Sequence, residues 1–181
     1  GNRAKKVESI HFDAFESENY PLLAVAGVII KFNEKFIKES RKEELILHHD
    51  LNTNVVILNL YPGITESIVS SILCIPGLRG VVMETYGAGN APTYGWFISL
   101  LNKAILNGIT VFNVSQCPGG KVEQGRYETS KELERIGVIS GDDITTEAAL
   151  SKLMLVLAEE QKTAQITQRM RISVSGEMTL N

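Results

Sequence analysis

A parallel α/β sheet wrapped by helices is the fold class this sequence predicts, and three observations predict it. From residue 54 onward, apolar runs of strand length alternate with apolar stripes at helical spacing. The runs are nearly continuous and rich in β-branched residues, as strands covered on both faces require. Glycine- and proline-rich loops separate one element from the next.

Residues 1–21 are polar, carry Arg3, Lys5 and Lys6, and hold Phe12 and Phe15 without a clear period, so they read as a tail or linker that packs on something else. Leu22 to Ile30 is the longest apolar run, bounded by Pro21 and Lys31; it has strand length. Lys31 to Lys42 is dense in charge and reads as a solvated loop, and Glu44-Leu45-Ile46-Leu47-His48 as an edge strand. Val55 to Leu60 is a buried strand ended by Tyr61-Pro62-Gly63, and Ile64, Ile68, Val69, Ile72 and Leu73 recur at helical spacing until Pro76-Gly77. Gly80 to Met83 is the next strand. The stripe Trp96, Phe97, Leu100, Leu101, Ala104 and Ile105 is a helix closed by Asn107-Gly108. Ile109 to Val114 is a third strand, followed by Pro118-Gly119-Gly120, a helix near 127–135 and a strand at Val138-Ile139. Ala149, Leu150, Leu153, Met154 and Leu157 mark another helix, and a short helix near 162–169 leads into a polar tail. Four or five strands of a flavodoxin- or Rossmann-like three-layer sheet fit this order, with helices on both faces and right-handed crossovers.

Composition narrows the function classes. The chain has 181 residues, 44% of them hydrophobic and 22% charged, which matches a folded domain and not a disordered one. A formal net charge of −3 leaves no basic surplus for binding nucleic acid. Cys74 and Cys117 are too few for a disulfide scaffold and lack the pairing of a zinc site; they read as reduced thiols, Cys74 in the core. No apolar stretch approaches the roughly 20 residues of a membrane helix, and none follows the basic N-terminus as a signal peptide requires.

In open parallel sheets, ligands bind beyond the carboxyl ends of the strands. Three loops leave that edge: 61–63, 86–92 and 115–120. Gly87-Ala88-Gly89 lacks the third small residue and the downstream acid of a dinucleotide site, so its glycines serve a sharp turn, with Pro92 in the first turn of the next helix. Cys117 reads as a loop or packing residue, with ligand contact as the alternative, because no histidine occupies a comparable loop. His48 and His49 are adjacent and would point oppositely on a strand, which disfavours a shared metal. Asp142, Asp143 and Thr145 precede a helix and read as cap residues. No complete catalytic constellation emerges, and neither metal nor cofactor is expected.

The loop sequences themselves carry a resemblance. Gly80-Val81-Val82-Met83-Glu84-Thr85-Tyr86-Gly87-Ala88-Gly89-Asn90-Ala91-Pro92, Asn113-Val114-Ser115-Gln116-Cys117, Gly119-Gly120-Lys121-Val122 with Gly125 and Tyr127, and Gly137 to Ala148 resemble, in order, the C-terminal domain of bacterial cytoplasmic (type I) L-asparaginases. The resemblance implies that residues 1–21 are the end of an N-terminal domain plus a linker, and that 22–181 form the C-terminal α/β domain. It implies acyl-transfer chemistry on L-asparagine, with the attacking threonine in the N-terminal domain. This chain contains neither of the family's threonine motifs, so no catalytic residue is assigned and the chain alone is expected to be inactive. Asn90 and Tyr127 match positions on the substrate side. Ser115, Gln116 and Cys117 match the segment where regulated members bind activating asparagine, but Glu84 stands where those members carry arginine, and a carboxylate would repel the effector's own. Partners implied are the N-terminal domain and further copies in a dimer or tetramer, in the cytoplasm, with no nucleic acid or membrane. The alternative is a stand-alone module binding an amino acid or effector at the same loops.

Overall fold

The computed structural model describes residues 2–37, 44, 46–125 and 128–179, except for the side chains of 128 and 129. Two short antiparallel hairpins come first: β1 (Lys5–Lys6) pairs with β2 (Phe15–Glu16), and β3 (Ala24–Val25) pairs with β4 (Lys31–Phe32). The main sheet then forms from β5 (Val55–Asn59), β6 (Gly80–Thr85), β7 (Thr110–Ser115) and β8 (Ile139–Ser140), parallel throughout and in the order β5-β6-β7-β8. Helices α1 (Glu66–Leu73), α2 (Gly95–Leu106) and α3 (Glu128–Arg135) connect these strands, and α4 (Thr146–Glu159) and α5 (Thr163–Arg171) follow the last one.

The period-2 alternation of the strands sorts the core into two layers. Val56, Leu58, Val81, Met83, Val111 and Val138 face α1, α2 and α3, where Val69, Leu73, Phe97, Leu101 and Leu133 meet them. Val55, Val82, Phe112, Val114 and Ile139 face α4 and α5 through Ala149, Leu153, Val156, Leu157, Ile166 and Met170. This is the α/β parallel sheet with helices on both faces that the apolar pattern predicts. The central strands β6 and β7 are buried almost end to end, which explains their unbroken apolar runs. At Gly80 an added Cβ would lie 2.8 Å from both Leu153 Cδ2 and Leu157 Cδ1, so α4 reaches the start of β6 only because no side chain is there. Thr65 caps α1 by accepting the Ile68 N–H, Thr145 caps α4 by accepting the Ala148 N–H, and Asn107-Gly108 closes α2 with Gly108 at φ +89°.

Several expectations change. Leu22–Ile30, a run of strand length, forms strand only at Ala24–Val25, and Leu22, Val25, Val28, Ile29 and Ile30 are exposed. An apolar run becomes a core strand only if a partner face covers it, and the described chain supplies none. Cys74 is the exposed C-cap of α1 rather than a core residue, because the stripe ends one residue earlier at Leu73. Pro92 lies in the loop before α2, whose N-cap is Tyr94, rather than in its first turn. In the segment read as an edge strand, Leu45 lies outside the described residues, and Glu44 and residues 46–48 form no strand. Among the described residues, no helix is long and apolar enough to cross a membrane.

Candidate functional site

The carboxyl ends of the sheet are stitched together by one side chain. Strand register brings Asn59 beside Glu84 and Thr85 beside Ser115. From the next position, Gln116 Nε2 donates to Leu60 O at 2.5 Å, to Glu84 O at 3.0 Å and to Asn59 Oδ1 at 3.2 Å. A carboxamide has two N–H groups to share among these three acceptors. The 61–63 loop and the 86–92 loop then flank a shallow cavity of about 340 Å³ lined by Tyr61, Pro62, Gly63, Ile64, Tyr86 and Pro92.

The turn that presents Asn90 is closed on itself and braced from two sides. Tyr86 and Asn90 exchange both backbone hydrogen bonds at 2.9 Å, and Gly89 N–H also donates to Tyr86 O at 3.1 Å. Ser115 Oγ donates to Gly87 O at 2.7 Å while accepting from Cys117 N–H at 3.0 Å, and Glu123 N–H donates to Ala88 O at 2.9 Å. Gly89 adopts φ +102°, and a Cβ there would stand 2.7 Å from Val122 Cγ1. Glycine is therefore required twice over, by the backbone angle and by the close approach of the second glycine loop. Asn90 itself is half-buried at the rim of this turn.

Glu84 points to the opposite face of the sheet, where its Oε1 accepts from Thr146 Oγ1 at 2.6 Å at the start of α4. The residues proposed from sequence as an effector set, Glu84, Ser115, Gln116 and Cys117, thus share one edge of the sheet but serve different faces of it. Gln116 and Ser115 are committed to holding loops, Glu84 is engaged by α4, and the Cys117 thiol is exposed. Tyr127 lies outside the described residues. His48 binds Glu159 at the far end of α4, whereas Thr146 at the near end meets Glu84. Thirteen residue rises separate those ends, about 20 Å at 1.5 Å each, so His48 sits near the opposite edge of the sheet from Cys117. Among the described residues, no three His, Cys, Asp or Glu side chains gather as metal ligands.

A clasp missed by sequence reasoning anchors the N-terminal segment to this edge. Asn19 reads Gly120 as a backbone strand would: its Nδ2 donates to Gly120 O at 2.7 Å and its Oδ1 accepts from Gly120 N–H at 2.8 Å. Arg3 donates to Asn19 O at 2.7 Å and to Asp143 Oδ2 at 2.8 Å, and its guanidinium lies 5.2 Å from the centre of the Tyr20 ring. Thr179, from the tail, gives both its N–H and its hydroxyl to Asp143. Of the three residues expected to cap α4, only Thr145 does so; Asp143 serves this clasp instead, and Asp142 takes a left-handed φ of +51°. Burial pushes Asp142 up, aided by the charge of Asp143. Burial also pushes Asp143 up, but Thr179 and Arg3 outweigh it and hold that carboxyl below its ordinary range. A lone arginine and asparagine in a segment without period carry no periodic signal.

The family model of the glutaminase/asparaginase C-terminal domain matches residues 54–170. The chain belongs to that family. L-asparaginase 1 of Escherichia coli K12 is 37% identical over 179 residues, which cover 99% of this chain and 53% of that protein. The 60 kDa lysophospholipase of Mus musculus is 38% identical over 184 residues, covering 99% of this chain and 32% of that protein. Among solved structures, L-asparaginase I from Vibrio cholerae superposes with a TM-score of 0.89 at 34% identity, across 99% of this chain and 54% of that one. This asparaginase-type C-terminal domain therefore spans about half the length of these two bacterial asparaginases, and about a third of the lysophospholipase. The matched family region opens at the threshold of β5, so the parallel sheet and its helices are the family's domain, while β1 to β4 precede it.

Proposed function

We propose that this chain is the C-terminal part of an L-asparaginase that hydrolyses L-asparagine to L-aspartate and ammonia. The observation that carries this reading is the similarity to L-asparaginase 1, which runs through 99% of this chain yet spans only 53% of that protein. The division of labour follows from it. Residues 1–21 end an N-terminal domain and link it to the α/β domain at 22–181. The attacking threonine hydroxyl belongs to the N-terminal domain: it adds to the side-chain amide carbonyl, the amide nitrogen leaves as ammonia after taking a proton, and water cleaves the resulting ester to release aspartate. This domain supplies the substrate-side rim. Asn90 is the first candidate for contact, since one carboxamide both donates to a carboxylate and accepts from an ammonium; Tyr127 is the second. The two exposed thiols suit a reducing, cytoplasmic setting, and the apolar hairpins support assembly as a dimer or tetramer.

The test is ammonia release from L-asparagine by this chain alone and by the same chain joined to its N-terminal half. The joined protein is expected to be active and the chain alone inactive; release above a protein-free control by the chain alone would refute the division of labour. In the joined protein, Asn90→Ala is expected to raise KM by about tenfold or more, the scale of a lost hydrogen bond to a charged ligand. Glu84 supports a second element of the proposal: the joined protein follows hyperbolic kinetics, because a carboxylate occupies the place from which an arginine would draw in an activating carboxylate. Sigmoidal dependence on asparagine in the parent would overturn it.

A further inference from the structure

Helix α4 presents two stripes, and the core uses one of them. Ala149, Leu153, Val156 and Leu157 pack on the sheet. Ala148, Ser151, Lys152 and Leu155, spaced three and four apart, line a cavity of about 470 Å³ beside it. Leu51 and Val174, 58% and 46% exposed, add to its apolar wall. The polar groups of the wall are already engaged within the chain. Lys152 is held by Glu177 and Ile172 O, Glu177 by the N–H groups of Val174 and Ser175, and Ser151 Oγ donates to Glu147 O at 2.9 Å. A free amino acid, with its two charges, would find no unpaired partner among these groups. They leave an occupant apolar surface, in a volume within the range of about 300–1,000 Å³ typical of binding pockets.

The first described residues are fastened to the rim of this cavity. Asn2 and Ala4 line it. Asn2 Nδ2 donates to Ser175 Oγ at 2.9 Å and to Ser175 O at 3.3 Å, and Asn2 O accepts from Thr145 Oγ1 at 3.3 Å. Thr145 and Ser175 are themselves lining residues. Arg3, next in the chain, is held by Asp143 and by Asn19 O. Two consecutive residues pinned to α4 and to the tail deliver whatever polypeptide precedes them to this rim. L-asparaginase 1 of Escherichia coli, matched along 99% of this chain, is covered over only 53% of its length. We infer that the cavity is the seat of the N-terminal half, whose apolar side chains fill it against Leu51, Ala148, Leu155 and Val174. The inference rests on the reading of this chain as the C-terminal part of a longer protein.

Thiol labelling tests it. Ser151 is exposed and lines the cavity, and Ser151→Cys places a thiol there with little change of shape. The native Cys74, exposed at the end of α1 on the other layer, is the reference for reagent access. Iodoacetamide is applied to the variant of this chain alone and of the same chain joined to its N-terminal half, and each site is read from the mass of its own peptide. The rate at position 151 relative to Cys74 is expected to fall at least about tenfold in the joined protein, because thiol reactivity follows exposure. An unchanged ratio would overturn the inference. Leu51→Asp, at a residue already open, should shift the melting temperature of the chain alone by no more than about two degrees. Added to Ser151→Cys in the joined protein, it should restore most of the lost labelling, because a carboxylate is costly to bury in an apolar seat. Protection that survives Leu51→Asp would show that the thiol is shielded by something seated elsewhere. Protection that develops in the chain alone as its concentration rises would assign the cavity to a second copy; either result removes the inference. Asparagine hydrolysis by the joined protein is measured separately. Activity with the thiol still open removes this inference and spares the functional reading, and protection without activity does the reverse.

Discussion

Lys152 and Glu177 form an ion pair at 2.9 Å in which both side chains are less than one-twentieth exposed. Lys152 projects from α4, and its Nζ also donates to Ile172 O at 2.6 Å. Glu177 lies in the tail, where its carboxylate gathers the N–H groups of Val174 and Ser175. Burial pushes Glu177 up, but the Ser175 and Val174 N–H groups and Lys152 together outweigh it and bring the carboxyl to about 2. Two consequences are measurable. A folded-state value below the ordinary one of 4.5 means that the stabilisation is complete above pH 4.5 and is lost as pH falls toward about 2. Asp143, shifted in the same direction, reinforces the loss. Glu177 alone is worth roughly 3 kcal/mol on this basis, so urea midpoints recorded from pH 6 down to pH 2.5 should decline steeply below pH 4.5. Glu177→Gln should flatten that decline. Lys152→Met, which strands a buried carboxylate, should cost about 3–5 kcal/mol at neutral pH, and pairing it with Glu177→Gln should recover part of the loss.

Elements differ in how far the sequence reveals them, and the difference has a physical source. Helices α1, α2 and α4 and the central strands bury one face or two against neighbours within the chain, so their apolar period is set by contacts the chain itself makes. Their positions follow from that period to within a few residues. The hairpins do not obey it. Leu22 to Ile30 is apolar enough for a core strand, yet β3 and β4 have their side chains in solvent, since nothing in the described chain covers them. The site shows the same split. Loops 61–63, 86–92 and 115–120 are legible from glycine and proline at strand ends, whereas the Gln116 staple, the Asn19–Gly120 pairing and the Thr85–Asn113 pair join residues distant in sequence through single polar contacts. No periodicity records such contacts. At this scale, Asn19→Ala removes both bonds to Gly120 and leaves that peptide exposed to water. The variant should quicken exchange at the Gly120 amide by more than tenfold, with helix content unchanged by circular dichroism.

The whole molecule exposes more apolar surface at one end than its core needs. Ile10, Phe12, Phe15, Leu22, Val25, Val28, Ile29, Ile30 and Phe32 all lie open within the first 32 residues, while the parallel sheet has a closed two-sided core. Exposed apolar side chains in such number mark surfaces that another polypeptide covers. In the proposed enzyme, the N-terminal half and neighbouring subunits are the candidates. Light scattering on the isolated chain should therefore show association that grows with concentration. A triple change, Val28→Ser, Ile29→Thr and Ile30→Lys, should reduce it without lowering the melting temperature by more than a degree or two, because these side chains bury little within the chain. Unaltered association in the triple variant would place the contact elsewhere.

The Gln116 staple also bears on how such a protein would age. Hydrolysis of that one carboxamide to a carboxylate, a change of a single mass unit, would replace a shared pair of donors with negative charge facing Leu60 O, Glu84 O and Asn59 Oδ1. Three oxygens now gathered by one group would repel it instead. Chemical wear at position 116 would unfasten the carboxyl edge of the sheet while the layers beneath stayed packed, so an old preparation would loosen there well before it lost its shape.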